Sequence, residues 1–108
     1  MMNPQPSWQH HVHVEPDRRI VQLQGEIDVN GAAHLLDLLT HTINAAQRVD
    51  VDMAAVQFID STVIGALITA RNTATASGRQ LVVTNPSRTA RRVLDITGVL
   101  DALSPTST

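Results

Sequence analysis

An apolar segment that ends abruptly in three polar residues constrains the fold more than any other stretch of the chain. Phe58 and Ile59 precede Asp60-Ser61-Thr62, and an alanine-rich run follows to about Ala76. Asp, Ser and Thr side chains accept hydrogen bonds from the unpaired N–H groups of a first helical turn. The trio therefore predicts a helix that starts directly after a buried segment. Free N–H groups and the helix dipole also favour an anion there, so Ser61 is either a cap or a hydroxyl that carries a phosphate.

Strand and helix patterns alternate along the rest of the chain. The strands are expected at residues 8–14, 20–25, 48–53 and 80–84, and the three main helices begin after Asp28 or Asn30, at about Ser61 and at Asn85-Pro86-Ser87. Two initial strands followed by alternating helices and strands are typical of an α/β domain. The sequence thus predicts a mixed sheet, an initial hairpin followed by parallel strands, with helices packed against it.

Periodicity predicts which side chains face the core. In the first helix the apolar stripe comprises Ala32, Leu36, Leu39, Ile43 and Ala46. In the third strand Val49, Val51 and Met53 alternate with Asp50 and Asp52, which indicates one packed face and two solvated carboxylates. The apolar run Gln80–Thr84 is typical of a central strand.

Length and composition are those of one domain. The chain has 108 residues, of which 43% are apolar, and it has no cysteine, which excludes disulfides and zinc–thiolate sites. Residues 1–7 are expected to form a flexible leader, 8–103 the domain and 104–108 a frayed end. Residues 1–7 lack the features of a signal peptide and no window reaches membrane-spanning length, so a cytoplasmic location without membrane association is expected.

The charged residues exclude several classes of protein. All eight basic residues are arginine, and without lysine the chain has neither a P-loop nor Schiff-base chemistry. The formal net charge is −2, and Trp8 and Phe58 are the only aromatic residues. A basic surface and aromatic stacking platforms are what nucleic-acid binding needs, so no nucleic-acid partner is expected.

The chain also lacks an obvious catalytic group. Ser61 has no histidine near it in sequence, and Ile59 and Val63 replace the glycines of a nucleophile elbow. No enzymatic activity is therefore expected. His11 and His13 share one face of a predicted edge strand, where they are either a pair of metal ligands or two solvent-facing imidazoles. Without a nearby carboxylate or cysteine, the second interpretation is favoured.

Several short motifs, taken in order, resemble the STAS domain, and in particular the single-domain bacterial anti-sigma-factor antagonists. The resemblance extends from about Val12 to Leu103. Its motifs are Gly25-Glu26-Ile27-Asp28, Val51-Asp52 to Phe58, Asp60-Ser61-Thr62, Asn85-Pro86 to Leu94, and Ile96 with Thr97-Gly98-Val99.

The resemblance implies a partner-switching protein that regulates transcription. In that family the unphosphorylated antagonist binds an anti-sigma factor, a serine kinase of the GHKL fold, and thereby frees a sigma factor. The kinase phosphorylates a serine of the antagonist, which breaks the complex, and a PP2C-type phosphatase removes the phosphate. ATP and Mg²⁺ belong to the kinase, so the chain itself is expected to need no cofactor.

Carried over by position, Ser61 matches the phosphorylated serine, and Thr62 is a second candidate acceptor. Asp28, Asp60, Ser61, Thr62 and Val63 match the surface that binds the partner. Val63 departs from the family pattern, which has glycine there, and a β-branched side chain removes a position of close approach. The alternative function is that of a STAS scaffold, or of an interaction module in a sensor complex, that is never phosphorylated.

Overall fold

In the computed structural model, which describes residues 7–105, strands and helices alternate after an initial hairpin. Residues 1–6 and 106–108 lie outside the described range, and with them most of the predicted leader and frayed end. Ser7 is described, and its carbonyl accepts a hydrogen bond from the Glu26 N–H. The elements are β1 (Trp8–Val14), β2 (Arg19–Ile27), α1 (Val29–Ala45), β3 (Arg48–Ile59), α2 (Ser61–Ala76), β4 (Gln80–Thr84), α3 (Arg88–Ile96) and α4 (Leu100–Leu103).

The sheet has the predicted mixed topology. Its strand order is β1-β2-β3-β4, with β1 antiparallel to β2 and the other neighbours parallel. The hairpin and the edge position of β1 are confirmed, but the central position predicted for β4 is wrong, because β4 is the other edge. Leu81 and Val83 nevertheless lie in the core cluster, since α2 and α4 pack against β4, and Val82 on the opposite face is buried as well. The apolar sequence of β4 therefore indicated that its side chains are buried, but it did not indicate whether the strand is central or at an edge.

One face of the sheet carries the core. Cross-strand neighbours on that face, such as Val21, Val51 and Val83, are buried in one cluster with apolar residues of α1, α2, α3 and α4. The stripe predicted for α1 is partly wrong, because Leu35 is fully buried while Leu36 is only half-buried. The opposite face of β1 and β2 is polar and exposed, and it comprises Gln9, His11, His13, Gln22 and Gln24.

β3 is twice as long as predicted, and it contains two irregularities. The β2–β3 register shifts between Gln22 and Gln24 and again between Gly25 and Glu26, so β3 gains an extra residue at each point. Beyond Met53 every third residue is then buried, namely Val56 and Ile59. The alternation on which the sequence prediction relied ends at the first shift. Phe58, expected to be buried, is consequently 43% exposed.

Asp50 is the exception on the polar face. The sequence indicated a solvated carboxylate, but only 3% of the residue is exposed. Arg18 Nη1 lies 2.8 Å from its Oδ2, and Arg48 Nε lies 2.6 Å from its Oδ1. The two arginine side chains cover and neutralise the carboxylate, as a buried charge requires. They link the β1–β2 turn to the start of β3.

Trp8 of the edge strand β1 packs against α1. Its indole lies directly against Gly31 of α1, where a Cβ atom would approach Trp8 Nε1 to 2.4 Å. Gly31 is buried for that reason, and only a residue without a side chain fits there. No helix within residues 7–105 combines the length and apolar character needed to cross a membrane.

Candidate functional site

Two helices begin side by side at one end of the sheet. Ile27 at the end of β2 is paired with Ile59 at the end of β3, and these strands are parallel. The next residue on each strand is an aspartate in an extended conformation, Asp28 before α1 and Asp60 before α2. Each is the N-cap of its helix. The N-termini of α1 and α2 therefore meet at the carboxyl ends of neighbouring strands, and Ser61 is the first residue of α2.

The Asp60 carboxylate accepts several hydrogen bonds at the start of α2. Its Oδ1 accepts hydrogen bonds from the N–H groups of Thr62 at 3.0 Å and Val63 at 3.2 Å, and from the Thr62 hydroxyl. The backbone N–H of Val29, in the first turn of α1, lies near this carboxylate and makes the smallest contribution to lowering its pKa. These donors hold the pKa of Asp60 below its ordinary value; the Thr62 hydroxyl contributes most, followed by the backbone N–H groups. Asp60 therefore stays ionised and caps α2 close to the start of α1.

Because Asp60 is the cap, the Ser61 hydroxyl is not needed for capping. Ser61 is exposed, and its side chain makes no hydrogen bond to other residues of the described chain. Thr62 is also exposed, but its hydroxyl donates to Asp60. Within the polar trio, Asp60 is therefore the cap and the serine presents an uncommitted hydroxyl.

One sequence expectation about this turn is wrong. The sequence predicted free N–H groups for an anion in this turn, but the Asp60 carboxylate occupies those of Thr62 and Val63. The N–H of Ile64 donates to the Asp60 carbonyl. A phosphate on Ser61 would therefore meet a carboxylate and would have to compete with it for these donors.

Val63, which stands where the resemblance implies a glycine, lies inside the protein. Val63 is fully buried in the core, so its side chain does not face a partner at the surface. Its N–H is bonded to Asp60, which leaves Val63 a structural role in the first turn of α2. We therefore leave Val63 out of the contact surface proposed below. Gly65, one turn later, is exposed, and a Cβ atom there would meet nothing within 4 Å.

Two exposed apolar side chains were missed by the sequence analysis. Val29 is 59% exposed and Phe58 is 43% exposed. Val29 is adjacent to the Asp60 carboxylate through its N–H, and Phe58 precedes Asp60 by two residues. Val29 could have been found from the sequence, because it directly follows the predicted cap Asp28 and so lies in the first turn of a helix. No sequence signal indicated that Phe58 faces outward. We call Val29, Phe58, Asp28, Asp60 and Ser61 the cap surface.

Comparison with known proteins identifies the family. A family model of the STAS domain matches residues 8–108, and the chain therefore belongs to the STAS domain family.

Solved structures of anti-sigma factor antagonists share its fold. SpoIIAA, whose structure in the unphosphorylated form is known, has 19% sequence identity to this chain and a TM-score of 0.76. The match covers 93% of this chain and 89% of the SpoIIAA chain. The phosphorylated form of this Bacillus cell fate determinant is 20% identical, with a TM-score of 0.71, 93% of this chain and 92% of that chain being covered. An anti-sigma factor antagonist from Mycobacterium paratuberculosis has 21% sequence identity and a TM-score of 0.81. This match covers 93% of this chain and 87% of the antagonist. At these identities the likeness establishes the fold.

Proposed function

We propose that this protein is an anti-sigma-factor antagonist whose binding is switched by phosphorylation of Ser61. The observation that carries the proposal is the division of labour between Asp60 and Ser61. Asp60 caps α2, and the adjacent hydroxyl is left exposed and uncommitted. A hydroxyl that is needed to cap its helix cannot accept a phosphate without loss of the cap, whereas Ser61 can.

The cap surface suits a partner protein. Val29, in the first turn of α1, and Phe58, two residues before Asp60, expose apolar area, and apolar residues surrounded by polar groups are typical of protein interfaces. The partner in this proposal is an anti-sigma factor that is also a GHKL-type serine kinase, and a PP2C-type phosphatase reverses the modification. The chain acts as their substrate and not as an enzyme. Both reactions place the protein in the cytoplasm.

Phosphorylation would break the complex through charge. A phosphoserine carries roughly two negative charges near neutral pH. On Ser61 it would lie beside the Asp60 carboxylate, with Asp28 at the neighbouring helix start. A partner that fits a small hydroxyl at Ser61 would then have to desolvate a dianion. The domain itself need not refold, because the cap of α2 belongs to Asp60.

A binding experiment with the cognate anti-sigma factor tests this proposal. By isothermal titration calorimetry, Ser61→Ala should bind as the wild type does, and Ser61→Glu should bind at least tenfold more weakly. Thr69→Glu is the matched control, since Thr69 is exposed two turns along the same helix. If Ser61→Glu binds with unchanged affinity, the switch is refuted and the protein is a scaffold or sensor-complex module.

A further inference from the structure

The outer edge of β1 is open in the described part of the chain. β1 pairs with β2 on one side, in continuous register from Trp8 to Val14, and the sheet order places no strand on its other side. The strand contains no proline, lysine or register shift, which are the usual devices that prevent edge-to-edge pairing. Val14 is 69% exposed at its end. This edge can accept another strand.

The backbone groups that point outward can be assigned. The Glu26 N–H donates to the Ser7 carbonyl at 2.8 Å, so these two residues form a hydrogen-bonded pair. Hydrogen-bonded and non-hydrogen-bonded pairs alternate along an antiparallel ladder. Gln9, His11 and His13 therefore bond to β2, and the N–H and C=O groups that point away from the sheet are those of Trp8, His10, Val12 and Val14.

His11 and His13 form a preorganised pair on the polar face. Their ring centroids are 4.4 Å apart, and both residues are exposed. His13 Nε2 lies 2.9 Å from Gln22 Oε1, an oxygen that only accepts, and in the neutral tautomer that donates to it Nδ1 is the ring nitrogen left for a metal. A hydrogen bond of this kind orients an imidazole for metal binding.

One chain provides too few ligands for a closed metal site. Residues 7–105 contain no group of three or more His, Cys, Asp or Glu side chains that could hold a metal ion. Zinc in a structural site takes about four ligands in a tetrahedral arrangement. The His11–His13 pair supplies two of them, and the missing two must come from another molecule.

We propose that two copies of this chain pair antiparallel through their β1 edges and together bind one Zn²⁺-type cation with His11 and His13 of each copy. A two-fold axis perpendicular to the sheet makes an antiparallel edge self-complementary and keeps the polar faces on the same side. Odd-numbered residues then fall in non-hydrogen-bonded pairs, whose Cα atoms are about 4.5 Å apart and whose side chains lie close together. Four imidazoles meet on the open face, and imidazole suits zinc, copper and nickel. A second copy is the occupant because it supplies both the strand and the two missing ligands.

The full chain can be tested by sedimentation velocity with added ZnCl₂ or EDTA. With zinc, the mass should double from 11.7 kDa, and metal analysis should find one zinc per two chains. EDTA should restore the monomer. The double variant His11→Ala/His13→Ala should stay monomeric at the same zinc concentration. A mass that stays at 11.7 kDa, or one zinc per chain without dimerisation, would overturn the proposal.

A matched pair of variants tests the role of the edge itself. Val14→Lys places a charge on the exposed end of β1, and Ile96→Lys makes the same change at a 73% exposed apolar residue on α3. Zinc-dependent dimerisation should be lost in Val14→Lys and kept in Ile96→Lys, with unchanged circular dichroism in both. Dimerisation that survives Val14→Lys, or that persists without the two histidines, would show that the copies meet elsewhere.

Discussion

Ile27 lies opposite Ile59 at the ends of two parallel strands, and a capping aspartate follows each of them. This pairing brings the first turns of α1 and α2 together, so that the Asp60 carboxylate accepts hydrogen bonds from its own helix and lies near the Val29 N–H of the other. The candidate site is thus a direct product of strand register. Because the neighbouring Asp60 caps α2, the exposed Ser61 hydroxyl is not needed for the cap.

The capping role of Asp60 can be measured by substitution. Asp60→Ala removes the acceptor for Thr62 and Val63 and should lower the free energy of unfolding by about 1 kcal/mol, the usual cost of losing an N-cap. Asp60→Asn keeps an acceptor oxygen and should lose less. Ser61→Ala should be close to neutral in the same urea titrations. If Ser61→Ala costs as much as Asp60→Ala, the serine is part of the cap and the division of labour is refuted.

The lowered pKa of Asp60 predicts a loss of stability in acid. A carboxyl whose pKa is lower in the folded state stabilises the protein fully above its unfolded-state pKa of about 3.9. That contribution is lost as the pH falls from this value through the lower folded-state pKa. Urea unfolding between pH 6 and pH 2 should therefore show a steeper decline for the wild type than for Asp60→Asn. Equal slopes would contradict the assigned pKa shift.

Two glycine substitutions should have opposite effects. Gly31→Ala forces a methyl group against Trp8, so it should destabilise the protein and change the fluorescence of its only tryptophan. Gly65→Ala adds a methyl group in open space on an exposed helix, and it should stabilise by up to about 1 kcal/mol. Thermal unfolding of both variants, with emission spectra, makes the comparison. A Gly31→Ala variant with wild-type stability and emission would mean that Trp8 does not pack on α1.

The fold was largely predictable from local signals. Capping residues and breakers placed α2 at Ser61–Ala76 and β4 at Gln80–Thr84, as observed. What could not be predicted depends on long-range packing. The register shifts in β3 depend on the partner strand β2, and they turn Phe58 outward. The burial of Asp50 depends on Arg18, which is 32 residues away in sequence.

The candidate site was predicted as a set of positions but not as an arrangement. The sequence singled out Asp60-Ser61-Thr62, yet it left open which residue caps the helix. Three side chains of similar capping ability compete there, and only the backbone conformation decides between them. The same limit applies to Val63, because the helix phase that buries it depends on where the cap lies.

Site-resolved phosphorylation is the most direct test of the central claim. The wild type, Ser61→Ala and Thr62→Val would be incubated with the cognate GHKL kinase and ATP, followed by intact-mass analysis and peptide mapping. We predict one phosphate on the wild type and on Thr62→Val, located at Ser61, because the Thr62 hydroxyl is committed to Asp60. Ser61→Ala should take up none. Full phosphate uptake by Ser61→Ala, or no uptake by the wild type, would contradict the account.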